Sequence, residues 1–244
     1  MTYAIDREPL PLPEHDGKSG PLWEHELKYV VSRLSLEAVR CHLDSLCLPD
    51  PSYPENTVAS VYFDTPDFRS AREKFNGDYL KTKFRIRWYE QSGNFSRAFA
   101  EVKHRSGARR RKFRFDTEHE GRELSRRHLD DHRLLELPMV FRHHGIRLPE
   151  PLLPVLVLSY QRRRWLEPSS GSRISLDTRI QVDRSHPLLL SAHRDVQLDH
   201  AILEVKGEHN ELPGPLRHLA TIGCVRESVS KYGLCFQRIS GEIA

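Results

Sequence analysis

The sequence predicts an α+β fold in which an eight-stranded antiparallel β-barrel carries helices packed on its outside. About eight segments alternate between charged and apolar residues, so each strand would have one charged and one apolar face. Helical segments lie between these strands and need an apolar surface to pack on. If the apolar faces point outward under helices, the charged faces line the interior, where an eight-stranded barrel has room for side chains and a slender ligand.

Composition excludes several classes of protein. The chain has 244 residues, 38% of them hydrophobic and 30% charged, with a formal net charge of +4. Both signs are abundant, which indicates local fields and not a basic tail. The longest apolar run, Leu152 to Leu158, is too short to cross a bilayer. Four cysteines without Cys-x-x-Cys spacing and no visible signal peptide predict reduced thiols in a cytoplasmic protein.

The first part of the chain is predicted to be a flexible, proline-rich lead-in over residues 1–22, followed by a single domain over residues 23–240. The first strand begins at Trp23. Its charged parity carries Glu24, Glu26 and Lys28. A helix then begins near Ser35 and ends near Leu48, and a strand follows over residues 57–64.

The strand from Lys81 to Tyr89 is the most strongly patterned segment. Its Lys83, Arg85 and Arg87 alternate with threonine, isoleucine and aromatic residues, which favour strands. Taken alone, this strand reads best as an ordinary surface strand with solvated cations, because polar-out alternation is common in antiparallel sheets. The later segments repeat the pattern. They are predicted strands at residues 97–105, 109–115, 155–166, 173–178 and 201–207, and predicted helical regions at 120–144 and 212–222.

Charged faces in the interior would contain more cations than carboxylates. Each unpaired buried cation carries a desolvation cost of several kcal/mol, so the excess predicts an anionic ligand. Arginine forks and lysine ammonium groups match phosphate oxygens, and neighbouring carboxylates suit Mg²⁺ or Mn²⁺. The alternative is a set of internal salt bridges with no ligand. The predicted lining comprises Lys28, Lys83, Arg85, Arg87, Lys103, Lys112, Arg162, Arg173 and Lys206, with Glu24, Glu26, Glu101, Asp177 and Glu204.

The motif Glu24-x-Glu26-x-Lys28 resembles the Glu-x-Glu-x-Lys signature of the triphosphate tunnel (CYTH-like) superfamily, and within it the chain resembles the VTC domain. The likeness covers about residues 23–238. The supporting stretches occur in the family's order and are residues 26–29, 61–65, Arg85-Ile86-Arg87, Glu101-Val102-Lys103, Tyr160-Gln161-Arg162, residues 203–206 and Ser230-Lys231-Tyr232-Gly233.

This resemblance implies a polyphosphate polymerase that moves the γ-phosphate of ATP to a growing inorganic polyphosphate chain. It implies that Glu204 holds the divalent metal, that Lys28 lies near the transferred phosphoryl group, and that Tyr160 and Ser230 donate hydrogen bonds. It also implies that phosphates are held by Arg85, Arg87, Lys103, Arg162, Lys206 and Lys231. The closing motif departs from some members at Ser228, where they carry a lysine.

Further candidates come from the charged faces themselves. Lys83, Lys112 and Arg173 are candidate substrate-binding residues, and Glu24 and Glu26 are additional candidate metal ligands. The surface run from Arg109 to Lys112 could guide the polymer or simply be a solvated edge.

Two other functions stay open at this point. The same interior could place water where the acceptor phosphate lies, which would give a metal-dependent triphosphatase, or it could bind polyphosphate without turnover. Nucleic acid is not an expected partner, because aromatic residues do not interleave with the cations on one face. Direct membrane insertion is not expected, and a separate membrane partner stays open.

Overall fold

The computed structural model describes residues 25–106, 109–149, 151–190 and 196–241. The predicted lead-in over residues 1–22 and the candidate ligand Glu24 lie outside these ranges. The strands are β1 (His25–Ser32), β2 (Leu48–Pro49), β3 (Glu55–Asp64), β4 (Leu80–Gln91), β5 (Asn94–Phe95), β6 (Arg97–Ser106), β7 (Arg109–Glu120), β8 (Leu153–Leu166), β9 (Arg173–Ser185), β10 (His200–Gly207) and β11 (Cys224–Arg226).

The helices agree with the sequence prediction near the start of the chain and differ from it over residues 120–144 and 212–222. They are α1 (Leu36–Leu46), α2 (Arg69–Phe75), α3 (Gly121–Leu124), α4 (His132–Glu136), α5 (Met139–His143) and α6 (Lys231–Ser240), with a 3-10 helix at Gly214–Ala220. The predicted helical region 120–144 is thus divided into α3, α4 and α5, and the helix predicted over 212–222 is a 3-10 helix. None of the helices in the described ranges is long and apolar enough to span a membrane.

The strands form one antiparallel sheet with the order β11-β1-β10-β9-β8-β3-β4-β6-β7, to which β2 and β5 add short pairings with β8 and β4. The α+β class is therefore confirmed, but the eight-stranded count is wrong. The additional strands β2, β5 and β11 have only two or three residues, too few to show alternation in a sequence. Among the described residues, no backbone pairing joins β7 to β11, so closure into a barrel is not observed. Exposed Arg111, Arg114 and Glu118 on β7 are charges of the kind that protect an unpaired edge.

The apolar faces of the strands point outward and are covered by helices, as predicted. Phe84, Ile86 and Trp88 of β4 are buried in one core with Leu134 of α4 and Phe141 of α5. A second core joins residues of β1, β9 and β10 to Val39 and Leu43 of α1 and to the 3-10 helix. The opposite faces of the same strands therefore lie on the inner side of the sheet.

Helix α6 packs against this inner side, a placement that the sequence does not reveal. Its Tyr232 and Phe236 share a core with Tyr62 of β3 and with Leu158 and Ile180 of β8 and β9. Tyr62 stacks on Tyr232 with ring centroids 5.0 Å apart. Because the apolar side of α6 fills part of the inner face, the N-terminal end of the helix is held against the charged part.

Candidate functional site

A group of twelve charged side chains, called the inner cluster below, occupies the inner face of the sheet near the start of α6. Alternation along each strand places eleven of these residues on one face, the order of the strands brings the faces together, and Lys231 joins them from the start of α6. Cations outnumber carboxylates by eight to four. The cations are Lys28, Lys83, Arg85, Arg87, Lys103, Lys112, Arg162 and Lys231, and the carboxylates are Glu26, Glu101, Asp177 and Glu204.

Glu101 of β6 balances the cations on one side of the inner cluster. Its register partner on β4 is Arg85. The fully buried carboxylate of Glu101 lies 2.8 Å from Nε and 2.5 Å from Nη2 of Arg85, and 2.7 Å from Nζ of Lys112. Arg87 lies 3.9 Å away and donates to the hydroxyl of Tyr160 at 2.9 Å. Burial by itself would raise the pKa of Glu101, but Arg85, Arg87 and Lys112 outweigh it and hold the pKa well below its ordinary value.

Glu204 of β10 performs the same role on the other side. Its Oε1 lies 2.9 Å from Nζ of Lys231 and 3.4 Å from Nζ of Lys28, and its Oε2 accepts from Arg162 at 3.2 Å. Asp177 of β9 pairs with Arg162 at 2.6 Å and with Lys231 at 2.5 Å. Lys231, Lys28 and Arg162 overcome the effect of burial and keep the pKa of Glu204 well below its usual range. Both carboxylates are therefore ionised near neutral pH.

Three lysines face one another across neighbouring strands. Lys83 of β4 is the register partner of Lys103 of β6, which is the partner of Lys112 of β7. Lys83 donates to the hydroxyl of Ser230 at 2.6 Å, and Lys112 pairs with Glu101. Lys103 differs: within the described part of the chain its ammonium forms no ion pair. Burial, reinforced by Arg85, lowers the pKa of Lys103 well below its ordinary value. Like charges in direct opposition destabilise a sheet, so this row favours an added anion.

The sheet curls so that distant strands contribute to one site. Glu26 lies on β1 and Lys103 on β6, six steps apart in the sheet order, yet each charge influences the other. Burial would raise the pKa of Glu26, but Lys28, assisted by Lys103 and Lys206, lowers it to about 2. The charged faces therefore converge although backbone pairing does not close the sheet.

A family model, that of the VTC domain, matches residues 24–239. The chain belongs to the VTC domain family. The family indicated by the sequence motifs is thereby confirmed, and the match includes every strand that contributes to the inner cluster.

Solved structures similar to this VTC domain include two of nearly the same length. The PH1819 protein from Pyrococcus horikoshii OT3 is 14% identical, with a TM-score of 0.47, covering 88% of this chain and 99% of that one. HpAC1 from Hippeastrum, described as having a dominant triphosphatase activity, is 17% identical with a TM-score of 0.48, covering 91% and 97%. At TM-scores below 0.5 these likenesses say nothing about the activity of this chain. No curated protein matches the sequence.

The remaining predicted residues of the VTC domain lie around the inner cluster at different depths. Tyr160 is buried and accepts from Arg87, and Ser230 caps α6 by accepting from the amide of Gly233 at 3.2 Å. Lys206 lies beside Glu26, whose pKa it helps to lower. Arg173, the register partner of Lys206, is exposed. The structure thus brings Tyr160 and Ser230 into the site and leaves Arg173 at the rim.

Tyr62 belongs to the site, although it is not among the residues that the sequence predicts there. Its hydroxyl accepts from Nη1 of Arg85 at 3.0 Å, while Glu101 binds the other nitrogens of that guanidinium. Tyr232, which stacks on Tyr62, donates to Asp64 at 2.7 Å. Burial raises the pKa of Tyr62, but Arg85, Arg87 and Lys231 outweigh it and the net shift is downward. The available signal was the parity of Tyr62 in β3, opposite Arg85 in register.

Replacing Tyr62 by phenylalanine is expected to lower the free energy of unfolding by about 1 to 3 kcal/mol, because a buried arginine donor loses its acceptor. We expect the affinity of the inner cluster for tripolyphosphate to fall by about tenfold, since Arg85 would no longer be held in one plane. Urea unfolding and a tripolyphosphate titration measure the two effects. Tyr53→Phe is the matched control, because the Tyr53 side chain is 60% exposed. Equal effects of both substitutions would exclude a positioning role for Tyr62.

Two carboxylates of the inner cluster fit a divalent cation. Glu204 lies close enough to Glu26 for its charge to raise the pKa of Glu26, and both carboxylates are ionised because neighbouring lysines outweigh that effect. Among the described residues, no three His, Cys, Asp or Glu side chains form a ready-made metal site. Two carboxylates fit Mg²⁺ or Mn²⁺ when phosphate oxygens of a substrate supply further ligands, which is the usual arrangement for these ions.

Proposed function

We propose that this VTC domain is a polyphosphate polymerase that transfers the γ-phosphate of ATP to a growing inorganic polyphosphate chain. The observation that carries the proposal is the row of Lys83, Lys103 and Lys112 within a cluster whose cations exceed its carboxylates. A linear polyanion would supply the missing negative charge along several strands at once. Residues 23–240 form the proposed catalytic unit.

Each predicted residue has a proposed role in this reaction. Lys28 would contact the transferred phosphoryl group, with Arg85, Arg87, Lys103, Arg162 and Lys231 as the other catalytic cations. Proposed substrate contacts farther along the polyphosphate are Lys83, Lys112, Tyr160, Arg173, Lys206 and Ser230. Arg162 and Lys231 are already held by Asp177 and Glu204, so little reorganisation is needed when a substrate enters.

The proposed chemistry requires positioning and neutralisation of charge. The terminal oxygen of a polyphosphate acceptor is already ionised, so no side chain has to remove a proton from it. The acceptor oxygen forms a bond to the γ-phosphorus while the bond to the β-γ bridging oxygen breaks, and ADP leaves. Arginine and lysine side chains offset the negative charge of donor and acceptor, which would otherwise repel each other.

Glu204 and Glu26 are the proposed protein ligands of a Mn²⁺ or Mg²⁺ ion, and Glu24 stays a further candidate. When bound, such an ion would supply positive charge that offsets the negative charge of the phosphate groups during transfer. The side chains of Glu204 and Glu26 would orient it from the β1 and β10 side of the inner cluster.

Replacing Glu204 by glutamine is expected to weaken Mn²⁺ binding in the presence of tripolyphosphate by at least about tenfold, because a charged oxygen ligand is lost. The free Mn²⁺ signal in electron paramagnetic resonance measures this binding without turnover. Glu37→Gln on α1 is the control, since Glu37 is exposed and pairs with Arg40 only on the surface. Unchanged Mn²⁺ affinity in Glu204→Gln would remove this residue from the proposed metal site.

The reaction itself is tested by incubating purified protein with ATP, Mn²⁺ and a short polyphosphate primer. Long chains on a gel and free phosphate are measured in the same tube. Long chains with little free phosphate are expected. Free phosphate alone would identify a triphosphatase instead, and retention of primer without either product would identify a binding module.

The proposed partners are ATP and inorganic polyphosphate, with no nucleic acid. We place the reaction in the cytoplasm, where ATP is available and where the four free cysteines would stay reduced. A separate membrane protein is a further proposed partner, to which the polymer could be passed.

A further inference from the structure

We propose that a cleft on the outer face of the sheet is a second binding site, and that it takes a nucleotide. This outer cleft has a volume of about 440 Å³ and lies where α1 meets β8, β9 and β10. Its four arginines are Arg33, Arg40, Arg163 and Arg179. The site is independent of the proposed polymerase activity, because different side chains form it.

The outer cleft is separated from the inner cluster by the thickness of the sheet. Arg163 and Thr178 line the cleft, whereas their chain neighbours Arg162 and Asp177 belong to the inner cluster. Successive strand residues point to opposite faces, so a ligand in the cleft cannot contact the inner cluster. The cleft is therefore a distinct site.

The positive charge of the four arginines in the outer cleft is only partly neutralised by neighbouring carboxylates. In the described ranges, Arg33 and Arg179 are exposed and form no ion pair. Arg40 pairs with the exposed Glu37 at 3.2 Å, and Arg163 pairs with Asp44 at 3.1 Å. The acidic residues that line the cleft are Glu55 and Asp199, of which Asp199 pairs with Arg238 outside it at 3.3 Å. Guanidinium groups in this number suit the oxygens of a phosphate chain.

Arg179 reaches the cleft from a β-bulge. Gln161 of β8 pairs with Thr178 of β9, and Ser159 pairs with Gln181, so Arg179 and Ile180 together face the single residue between them. Ile180 is fully buried toward α6, whereas Arg179 points out with a φ of 50°. That left-handed conformation favours glycine or asparagine. Burial of Ile180 explains the bulge, but it does not explain why an arginine occupies the left-handed position at residue 179. A ligand that contacts Arg179 in the cleft would explain it.

The floor of the outer cleft is apolar and decides between classes of ligand. It is formed by Leu36, which is half-buried, and by Leu176, Leu198 and Ala201, which present only small areas to the cleft. A bare polyphosphate would leave the exposed part of Leu36 and these areas without a partner. A nucleotide would cover it with base and ribose while its phosphates reach the arginines, since small-molecule sites combine an apolar surface with a few polar groups.

The test measures ADP binding by isothermal titration calorimetry on the full chain. Two variants separate the sites: Lys103→Met weakens the inner cluster, and Arg33→Gln with Arg179→Gln weakens the outer cleft. We expect a binding event that persists in Lys103→Met and loses at least about tenfold in affinity in the double variant, because charge-assisted contacts to phosphate are lost. AMP and pyrophosphate should bind more weakly than ADP. AMP has the base and ribose but a shorter phosphate group, and pyrophosphate has no base or ribose.

A second pair of measurements guards against non-specific attraction and against misfolding. The control double variant Arg97→Gln with Arg217→Gln removes the same charge from side chains that are 72% and 71% exposed elsewhere. Arg179→Gly should raise the melting temperature, because glycine accepts a φ of 50°, and should still weaken ADP binding. Equal losses in the two double variants, or no ADP binding in Lys103→Met, would overturn the proposal. Loss of polymer synthesis alone would bear on the inner cluster only.

Discussion

Replacing Lys103 by methionine is expected to stabilise the protein in the absence of anions and to reduce its turnover rate by about 10²-fold or more. Methionine has a similar length and no charge, so it removes an ammonium that burial and Arg85 disfavour and that forms no ion pair with a carboxylate of the described residues. We expect a gain of about 1 kcal/mol in the free energy of unfolding. A gain in stability together with a loss of turnover identifies a cation that is retained to bind a ligand. A cation that supports the fold would lower stability when it is replaced.

Urea unfolding in an anion-poor buffer, together with the turnover assay, measures both changes. Lys83→Met is the matched comparison, because Lys83 is the register partner of Lys103 but donates to Ser230 at 2.6 Å. It should lose activity without gaining stability. A loss of stability in Lys103→Met would show that this lysine supports the free protein, which would contradict the proposed anion site.

The pH dependence of this difference has a definite sign. The pKa of Lys103 is lower in the folded protein than in the unfolded chain, so the unfolded chain binds its proton more tightly. The contribution of Lys103 to the free energy of unfolding of the wild type therefore increases with pH between its lowered pKa in the folded protein and the ordinary value of 10.5. Lys103→Met lacks the group, so its advantage should shrink as the pH approaches that value.

Replacing Glu101 by glutamine is expected to lower the free energy of unfolding by about 3 to 5 kcal/mol, because a fully buried carboxylate that balances several cations is lost. Arg85 and Lys112 would keep their charges without their shared partner. Tripolyphosphate should restore more stability to this variant than to the wild type, since the anion replaces the missing charge.

Urea unfolding at several pH values measures the role of Glu101. Its pKa in the folded protein is well below the ordinary value of 4.5, so its contribution is present above pH 4.5 and is lost as the pH falls through the folded pKa. Wild type and Glu101→Gln should therefore converge at acidic pH. The exposed Glu37→Gln is the control and should change little. A wild-type-like stability of Glu101→Gln at neutral pH would contradict the charge balance described above.

Much of the candidate site could be predicted because alternation along a strand is a local property. The parity of Lys83, Arg85 and Arg87 places them on one face whatever the rest of the chain does. The need to cover apolar strand faces with helices then puts the cations on the inner side, as the packing of Phe84 and Ile86 against α4 and α5 confirms. Tyr62 was missed because a tyrosine on a mostly apolar strand gives no sign of its partner.

By itself, the sequence determined the α+β class and the face on which each charged side chain lies, since alternation depends on neighbours within a few residues. It also determined the family, since the motifs occur in the family's order along most of the chain. Only the tertiary structure decided which charges are neutralised. Lys103 and Lys112 look alike in the sequence, but Lys112 pairs with Glu101, whereas Lys103 has no ion pair in the described ranges. That difference depends on the register between segments far apart in the chain, and long-range packing sets that register. The unpaired edge of β7 and the position of α6 against the inner side of the sheet have the same origin.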